Sequence, residues 1–178
     1  MQVSLSEEVL DEKPYLEVLD GKVYPKVSPK RTHGLVQFAM LTILHRCSDG
    51  RGDVVPEWRI WPEGRGRTTL VPDVSYVSHE RLQQLPPDQI ETPPFSPDIA
   101  VEVRSPSNRP NLLTKKIERY LSTGSVLVLD IDPATQTVTA HSAYDVRSYC
   151  ATEIFENAAV PWLVFSVSEL FEFLELPR

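Results

Sequence analysis

The sequence predicts an α/β (α+β) fold, in which a central mixed β-sheet is flanked by α-helices. Two stretches, at about 31–47 and 111–123, place apolar residues at helical spacing. Short runs rich in β-branched residues surround these stretches, as is typical of strands. The strand-like segment around 99–103, the second helix and the apolar run VLVLDI together have the length of a right-handed βαβ unit. The chain of 178 residues is long enough to bury one hydrophobic core.

The first half of the chain predicts a hairpin, a helix and two strands. Asp20 and Gly21 form a turn signal between short apolar segments, which indicates a β-hairpin. Thr32 is the expected cap of the first helix. The residues expected on its buried face recur at helical spacing: Leu35, Phe38, Ala39, Leu41 and Thr42 to Leu44. Strands are expected at 54–61 and 70–78, and Pro72 marks an edge or a bulge in the second.

The second half predicts two helices and two paired strands. One helical turn is expected near 80–85. The 111–123 helix has Asn108 or Asn111 as its expected cap and ends at Gly124. A strand at 126–131 then turns into a partner strand at 137–142. The last element is expected to be an amphipathic helix over 165–176, capped by Ser166 or Ser168.

Composition restricts the class of protein. Residues 1–13 are predicted to form a flexible acidic leader, and residues 14–178 a single domain. The sequence lacks a long apolar span and its N-terminus is acidic, so we expect no membrane partner and a cytoplasmic location. Two distant cysteines favour a reducing compartment over a disulfide framework. The net charge of −7 argues against a bulk electrostatic grip on nucleic acid, although basic residues concentrate between 59 and 119. Those basic residues fit either a local binding surface or ordinary solubilising charge.

Two acids stand inside strand-like segments. Glu102 lies in the apolar run IAVEV, and Asp73 lies in LVPDVSYV. A buried carboxylate is costly unless it is paired, hydrogen-bonded or bound to a metal. If the two strands are neighbours, the carboxylates converge and repel, and a divalent cation between them is a common solution. The sequence therefore indicates a metal site at Asp73 and Glu102.

Lys116 adds a third group of chemical interest. It lies on the helix that follows the Glu102 strand, next to Ile117 on the apolar face, so its side chain can reach back toward Glu102. There an ammonium could stabilise the charge that develops as a phosphodiester is cut. A purely structural interpretation remains open at this point, in which Glu102 pairs with Arg104 or Lys116 and Asp73 is a turn residue.

Four motifs resemble one known family. VPDVSYV, SPDIAVEVRSPSNR, LLTKKIERYLSTG and DIDP follow one another as they do in the Uma-type restriction endonuclease family, within the PD-(D/E)XK nuclease superfamily. The resemblance extends from about Tyr15 to Leu174, and EVRSPS is its most specific part. It implies a restriction-endonuclease-like fold, metal-dependent hydrolysis of nucleic-acid phosphodiesters, DNA as the substrate, Mg²⁺ or Mn²⁺ as the cofactor, and a homodimer.

The resemblance also implies roles for individual residues. Asp73 and Glu102 match the metal-binding acids, and the backbone carbonyl of Val103 is an expected further ligand. Lys116 matches the lysine that this family carries on the helix, whereas most of the superfamily has a lysine where this chain has Arg104. Two upstream positions match residues expected to support the site: His33 and Glu17.

The sequence departs from the family pattern at two places. Asn111 stands where an acid usually precedes the helix lysine, and SVLVLDID, with Asp130, replaces an EYW-like strand. These changes keep a second interpretation open, in which the chain is a catalytically silent binding or regulatory module that retains the fold.

Overall fold

The computed structural model describes residues 15–26, 29–64, 67–105 and 110–174. The first part contains a hairpin of β1 (Leu16–Leu19) and β2 (Lys22–Pro25), then helix α1 (Arg31–Ser48). The rest comprises β3 (Gly52–Pro56), β4 (Val74–Ser78), α2 (His79–Leu82), β5 (Ile99–Val103), α3 (Pro110–Ser122), β6 (Leu127–Asp132), β7 (Thr137–His141), β8 (Val146–Cys150), β9 (Ile154–Phe155) and β10 (Phe165–Ser166). Short 3-10 helices span Pro87–Gln89, Val167–Leu170 and Glu172–Leu174.

Six strands form one mixed sheet in the order β3-β4-β5-β6-β7-β8. Strands β5 and β6 run parallel, and the other neighbouring pairs in this sheet run antiparallel. Helix α3 connects the parallel pair, as a parallel crossover requires. The predicted α+β architecture, a mixed sheet flanked by helices, is confirmed.

The two faces of the sheet carry separate cores. Because successive side chains of a strand point to opposite faces, β5 contributes to both. Ile99, Val101 and Val103 pack with α1, whereas Ala100 packs with α3. Strand β5 is thus buried on both sides, and Glu102 lies on it between two apolar layers.

The β5 strand extends past the end of its neighbour β4. The last β4–β5 pair joins Val74 to Val101, while β5 continues to Val103. Asp73, directly before β4, donates its backbone N–H to the Val101 carbonyl at 2.9 Å. Its carboxylate Oδ2 accepts the N–H of Val103 at 2.7 Å and so replaces the missing strand partner. This frayed junction places Asp73 beside Glu102.

Several predicted elements were wrong in their extent. The predicted 54–61 strand ends at Pro56, since proline has no N–H to donate and Glu57 has a positive φ of 49°. The predicted 70–78 strand begins only at Val74. Thr32 does not cap α1, which has Lys30 at its N-cap without a side-chain hydrogen bond.

The prediction of a C-terminal amphipathic helix was also wrong. Its sequence forms strand β10 and two 3-10 helices instead, although Ser166 does start the first of these, in a capping box with Glu169. Strands β8 and β9 were not predicted. The acidic leader 1–13 and the candidate cap Asn108 lie outside the described residues. None of the described helices combines the length and the apolar character that crossing a membrane demands.

Candidate active site

Asp73 is held by helix α1 and by Lys26, which follows the β1–β2 hairpin. Its Oδ1 lies 2.8 Å from Nζ of Lys26 and 3.3 Å from Nε2 of His33. Gln37, on α1, donates from Nε2 to the Asp73 carbonyl at 2.8 Å. His33 and Gln37 are four residues apart, so they project from the same face of the helix toward Asp73. Both oxygens of this buried carboxylate are therefore engaged, Oδ1 by cationic or ring nitrogens and Oδ2 by Val103.

Glu102 is held from the α3 side. Its Oε1 lies 2.6 Å from Nζ of Lys116 and accepts the hydroxyl of Tyr120 at 2.7 Å. Lys116 and Tyr120 are again one helical turn apart. Lys116 also lies 2.9 Å from Oε1 of Glu17, which accepts the N–H of Val71 at 2.9 Å. The β1 strand thus positions Glu17 to orient the helix-borne ammonium against Glu102.

These groups form one buried electrostatic cluster. It contains three carboxylates, of Glu17, Asp73 and Glu102, and two ammonium groups, of Lys26 and Lys116. The side chains of Lys116 and Glu102 are each 7% exposed, so water screens their interaction little. When all three carboxylates are ionised, they outnumber the ammonium groups by one, and a cation can be accommodated there at lower cost than in a neutral cluster.

Burial and neighbouring charge move the pKa values of the two acids in opposite directions. Burial raises the pKa of Asp73, but the charges of Lys26 and His33 outweigh it and hold the pKa well below its usual range. Burial also raises the pKa of Glu102, and Lys116 only partly opposes this while Asp73 adds to it, so that the pKa is about 7. Asp73 is therefore the more acidic of the two groups, and Glu102 is the one that binds a proton more readily.

The lysine remains charged despite its burial. Burial alone lowers the pKa of Lys116, but Glu102 and Glu17 together raise it above its ordinary value. Lys116 is therefore a fixed positive charge with a donor proton, rather than a base. This favours a role in stabilising negative charge over a role in proton abstraction.

The alternative pairing of Glu102 with Arg104 was wrong. The guanidinium of Arg104 donates from Nε and Nη2 to both carboxylate oxygens of Asp130, at 2.8 and 2.5 Å. Its Nη1 also lies 3.6 Å from Asp132. This bidentate ion pair links the residue after β5 to β6. It lies beside a cavity of 840 Å³ that Arg104 and Asp130 help to line. The partner of Glu102 is Lys116, which was the other predicted possibility.

The structure brings together the five side chains that the sequence predicted: Glu17, His33, Asp73, Glu102 and Lys116. Their catalytic roles remain predictions. For Val103, the described contact is through its N–H, and its carbonyl as a metal ligand also stays a prediction.

Sequence reasoning missed Lys26, Gln37 and the hydroxyl of Tyr120. Tyr120 carried a usable signal, because it follows Lys116 by four residues on the same helix. Lys26 carried none, since a lysine directly after a hairpin is ordinarily a surface residue.

The donor set fits a hard divalent cation. Mg²⁺ is commonly bound by one or two carboxylates together with water and substrate phosphates. Asp73 and Glu102 supply two buried carboxylates in a cluster of net negative charge. Within the described ranges, no group of three or more His, Cys, Asp and Glu side chains could hold a metal ion. The residues therefore suit an ion that is completed by water and phosphate rather than one enclosed by protein.

The fold and this pair of acids define a restriction-endonuclease-like protein. The sequence profile of the Uma2 family, described as putative restriction endonuclease, matches residues 5–170, and the chain belongs to that family. Membership indicates a nuclease, that is, a hydrolase acting on nucleic acids.

One solved structure is similar over nearly the whole chain. It is described as a putative nuclease belonging to DUF820, from Anabaena variabilis ATCC 29413. The two share 22% sequence identity with a TM-score of 0.80, over 92% of this chain and 93% of that one. At this identity the likeness shows the fold. No curated protein matches the sequence.

Proposed function

We propose that the protein is a metal-dependent endonuclease that hydrolyses nucleic-acid phosphodiester bonds, with DNA as the expected substrate. The observation that carries this proposal is the binding of the Asp73 carboxylate to the N–H of Val103, the residue that follows Glu102, with Lys116 2.6 Å from Glu102. Two strand-borne acids and an ammonium are the groups that phosphodiester hydrolysis requires. Family membership supports the same reaction class.

Each residue has a defined task in this proposal. Asp73 and Glu102 hold Mg²⁺ or Mn²⁺, with the Val103 carbonyl as a further ligand, and the bound ion supplies neutralisation of the phosphate charge. Lys116 keeps its proton on Nζ and stabilises the negative charge that develops on the phosphate oxygens. Glu17 holds Lys116 in place.

His33 has a supporting task on the other side of the site. It contacts Asp73 at 3.3 Å and also lines the adjoining cavity. It therefore orients Asp73 from the side on which a substrate strand can approach.

Cleavage of labelled duplex DNA, single-stranded DNA and RNA in Mg²⁺, Mn²⁺ or EDTA tests the proposal. Asp73→Asn and Glu102→Gln should each lower metal-dependent cleavage by about 100-fold or more, because each removes a ligand charge without changing side-chain size. Asp53→Asn is a matched control, since Asp53 is an exposed strand carboxylate that pairs only with His79 among the described residues. Equal cleavage by wild type and both site variants, each shown to be folded by circular dichroism, would contradict the nuclease proposal.

The catalytically silent module remains a second candidate, favoured by one observation. Each acid of the pair already has its own ammonium, Lys26 for Asp73 and Lys116 for Glu102. Such a cluster can persist without a metal. Calorimetric titration with Mn²⁺ separates the two candidates, because a silent module should give no heat that depends on Asp73 and Glu102.

The expected homodimer and cytoplasmic location also remain proposals. Light scattering tests the first, since the chain has a mass of 20.2 kDa and a dimer doubles it. Cell fractionation tests the second.

A further inference from the structure

The ammonium of Lys26 pairs with the carboxylate of Asp73, which is also a proposed ligand of the metal. It follows the β1–β2 hairpin, and its ammonium lies 2.8 Å from Oδ1 of Asp73. It also donates to the Val71 carbonyl at 2.6 Å. The side chain is 13% exposed, so this is a defined buried contact rather than a transient surface pair. Neither the spacing of motifs nor the proposed catalytic roles account for a second lysine at this position.

We propose that Lys26 competes with the divalent cation for Asp73, and that loading of the metal requires its ammonium to leave that carboxylate. This inference rests on the proposed metal site. Mg²⁺ binds carboxylate oxygens at roughly 2.0–2.1 Å. An ammonium and a divalent ion on the same carboxylate lie within a few ångströms of one another, and in a poorly screened site they repel strongly.

The charges of the cluster indicate that one of its two ammonium groups leaves when the metal binds. With both lysines in place, three carboxylates face two ammonium groups, and a divalent ion leaves the cluster positive. Without Lys26, three carboxylates face one ammonium, and a divalent ion makes the cluster neutral. The metal and Lys26 are therefore alternative ways to compensate Asp73.

The anchoring of the two lysines identifies Lys26 as the ammonium that leaves. Lys116 lies on α3, contacts two carboxylates and is 7% exposed. Lys26 lies at the end of a two-stranded hairpin and contacts one carboxylate and one carbonyl. Because the Lys26 side chain is more exposed than that of Lys116, its ammonium is released at lower cost. The hairpin thus controls access of the metal to Asp73.

Calorimetric titration with Mn²⁺ tests the competition. Lys26→Met removes the charge but keeps an unbranched apolar side chain, and we expect its Kd for Mn²⁺ to fall by roughly tenfold or more. Lys26→Gln, which can still donate to Asp73, should change the Kd in the same direction and serves if the Met variant does not fold. Lys22→Met, an exposed lysine of the same hairpin, should retain the wild-type Kd.

Thermal unfolding gives a second readout that needs no substrate. The Lys26 variants should be less stable than wild type in EDTA, and the gain in Tm on adding Mn²⁺ should be larger than in wild type. If wild type binds Mn²⁺ and the Lys26 variants bind it equally or more weakly, the competition is refuted while the metal site stands. If neither wild type nor the variants bind Mn²⁺, the competition and the proposed metal site are both refuted.

Discussion

Replacing Lys116 with methionine removes the more deeply buried of the two ammonium groups of the site. The change keeps an unbranched side chain, one heavy atom shorter, and removes the ammonium that contacts Glu17 at 2.9 Å and Glu102 at 2.6 Å. Two carboxylates that are each less than a tenth exposed then lose their cationic partner. Since burial has already raised the pKa of Glu102 to about 7, removing Lys116 should raise it further.

The expected loss of stability is large. Removing one partner of a buried ion pair typically costs about 3–5 kcal/mol, because the other group must either stay charged without compensation or take up a proton. For a chain of this size, 1 kcal/mol corresponds to roughly 2–4 °C in Tm, so Tm should fall by roughly 6–20 °C. Urea unfolding and calorimetry in EDTA measure both quantities.

A neighbouring lysine and a double variant provide the controls. Lys115 contacts Asp20, but its side chain is 52% exposed, so Lys115→Met should change stability far less. Combining Lys116→Met with Glu102→Gln should recover part of the loss, because the stranded carboxylate becomes a neutral amide. Equal stability losses in Lys115→Met and Lys116→Met would refute the buried-pair reasoning.

Two further predictions concern pH and glycine. The pKa of Glu102 is about 7 in the folded protein and 4.5 as an ordinary carboxyl, so the folded state binds more protons between these values. The free energy of unfolding in EDTA should therefore fall as pH rises from 5 to 8, by at most ~1.4 kcal/mol per pH unit, and urea titrations of Glu102→Gln should lack this component. In the same assay Gly34→Ala, where an added Cβ meets nothing within 4 Å, should stabilise α1 by ~0.5–1 kcal/mol. Gly52→Ala should destabilise the protein, because its Cβ would lie 2.3 Å from the Val77 carbonyl oxygen. A Gly52→Ala variant that is more stable than Gly34→Ala would contradict the packing around β3.

The βαβ unit was predictable because local signals agreed with one another. The 111–123 segment has a clear apolar stripe, and Gly124 adopts a φ of 115°, as the residue that follows a helix often does. The following VLVLDI run is apolar throughout, which is typical of a strand covered on both faces. Glu102 was found because it interrupts an apolar strand, and Lys116 because it lies next to Ile117 on the helix that follows.

The buried face of α1 was not predictable from spacing. Apolar residues surround this helix, so a period of 3.6 residues fits more than one face. The structure buries Val36, Met40 and Ile43, whereas Phe38 is 56% exposed and meets Phe173 edge to face. The true face includes the polar Gln37, which a search for apolar stripes discounts, and Gln37 is the residue that holds the Asp73 backbone.

The C-terminal segment shows a different limit of pattern analysis. Val167, Leu170 and Phe171 are buried, as the predicted amphipathic helix required. A 3-10 helix also buries Val167 and Leu170, because its three-residue period brings them to the same side. Pairing of Phe165 with Phe155 in the β9–β10 ladder fixes the start of the segment, and this long-range contact has no local sequence signal.

Two sequence differences, Arg104 in place of a strand lysine and Asp130 in the strand that follows α3, are in contact in the structure. Most of the superfamily has a lysine two residues after the strand acid, where this chain has Arg104. Asp130, the unexpected acid on β6, binds both Nε and Nη2 of Arg104 and so directs the guanidinium away from Glu102. An ammonium must then reach Glu102 from elsewhere, and Lys116 does so from α3. Because Asp130 binds Arg104, the ammonium that pairs with Glu102 comes from Lys116 on helix α3 and not from the residue at the end of strand β5.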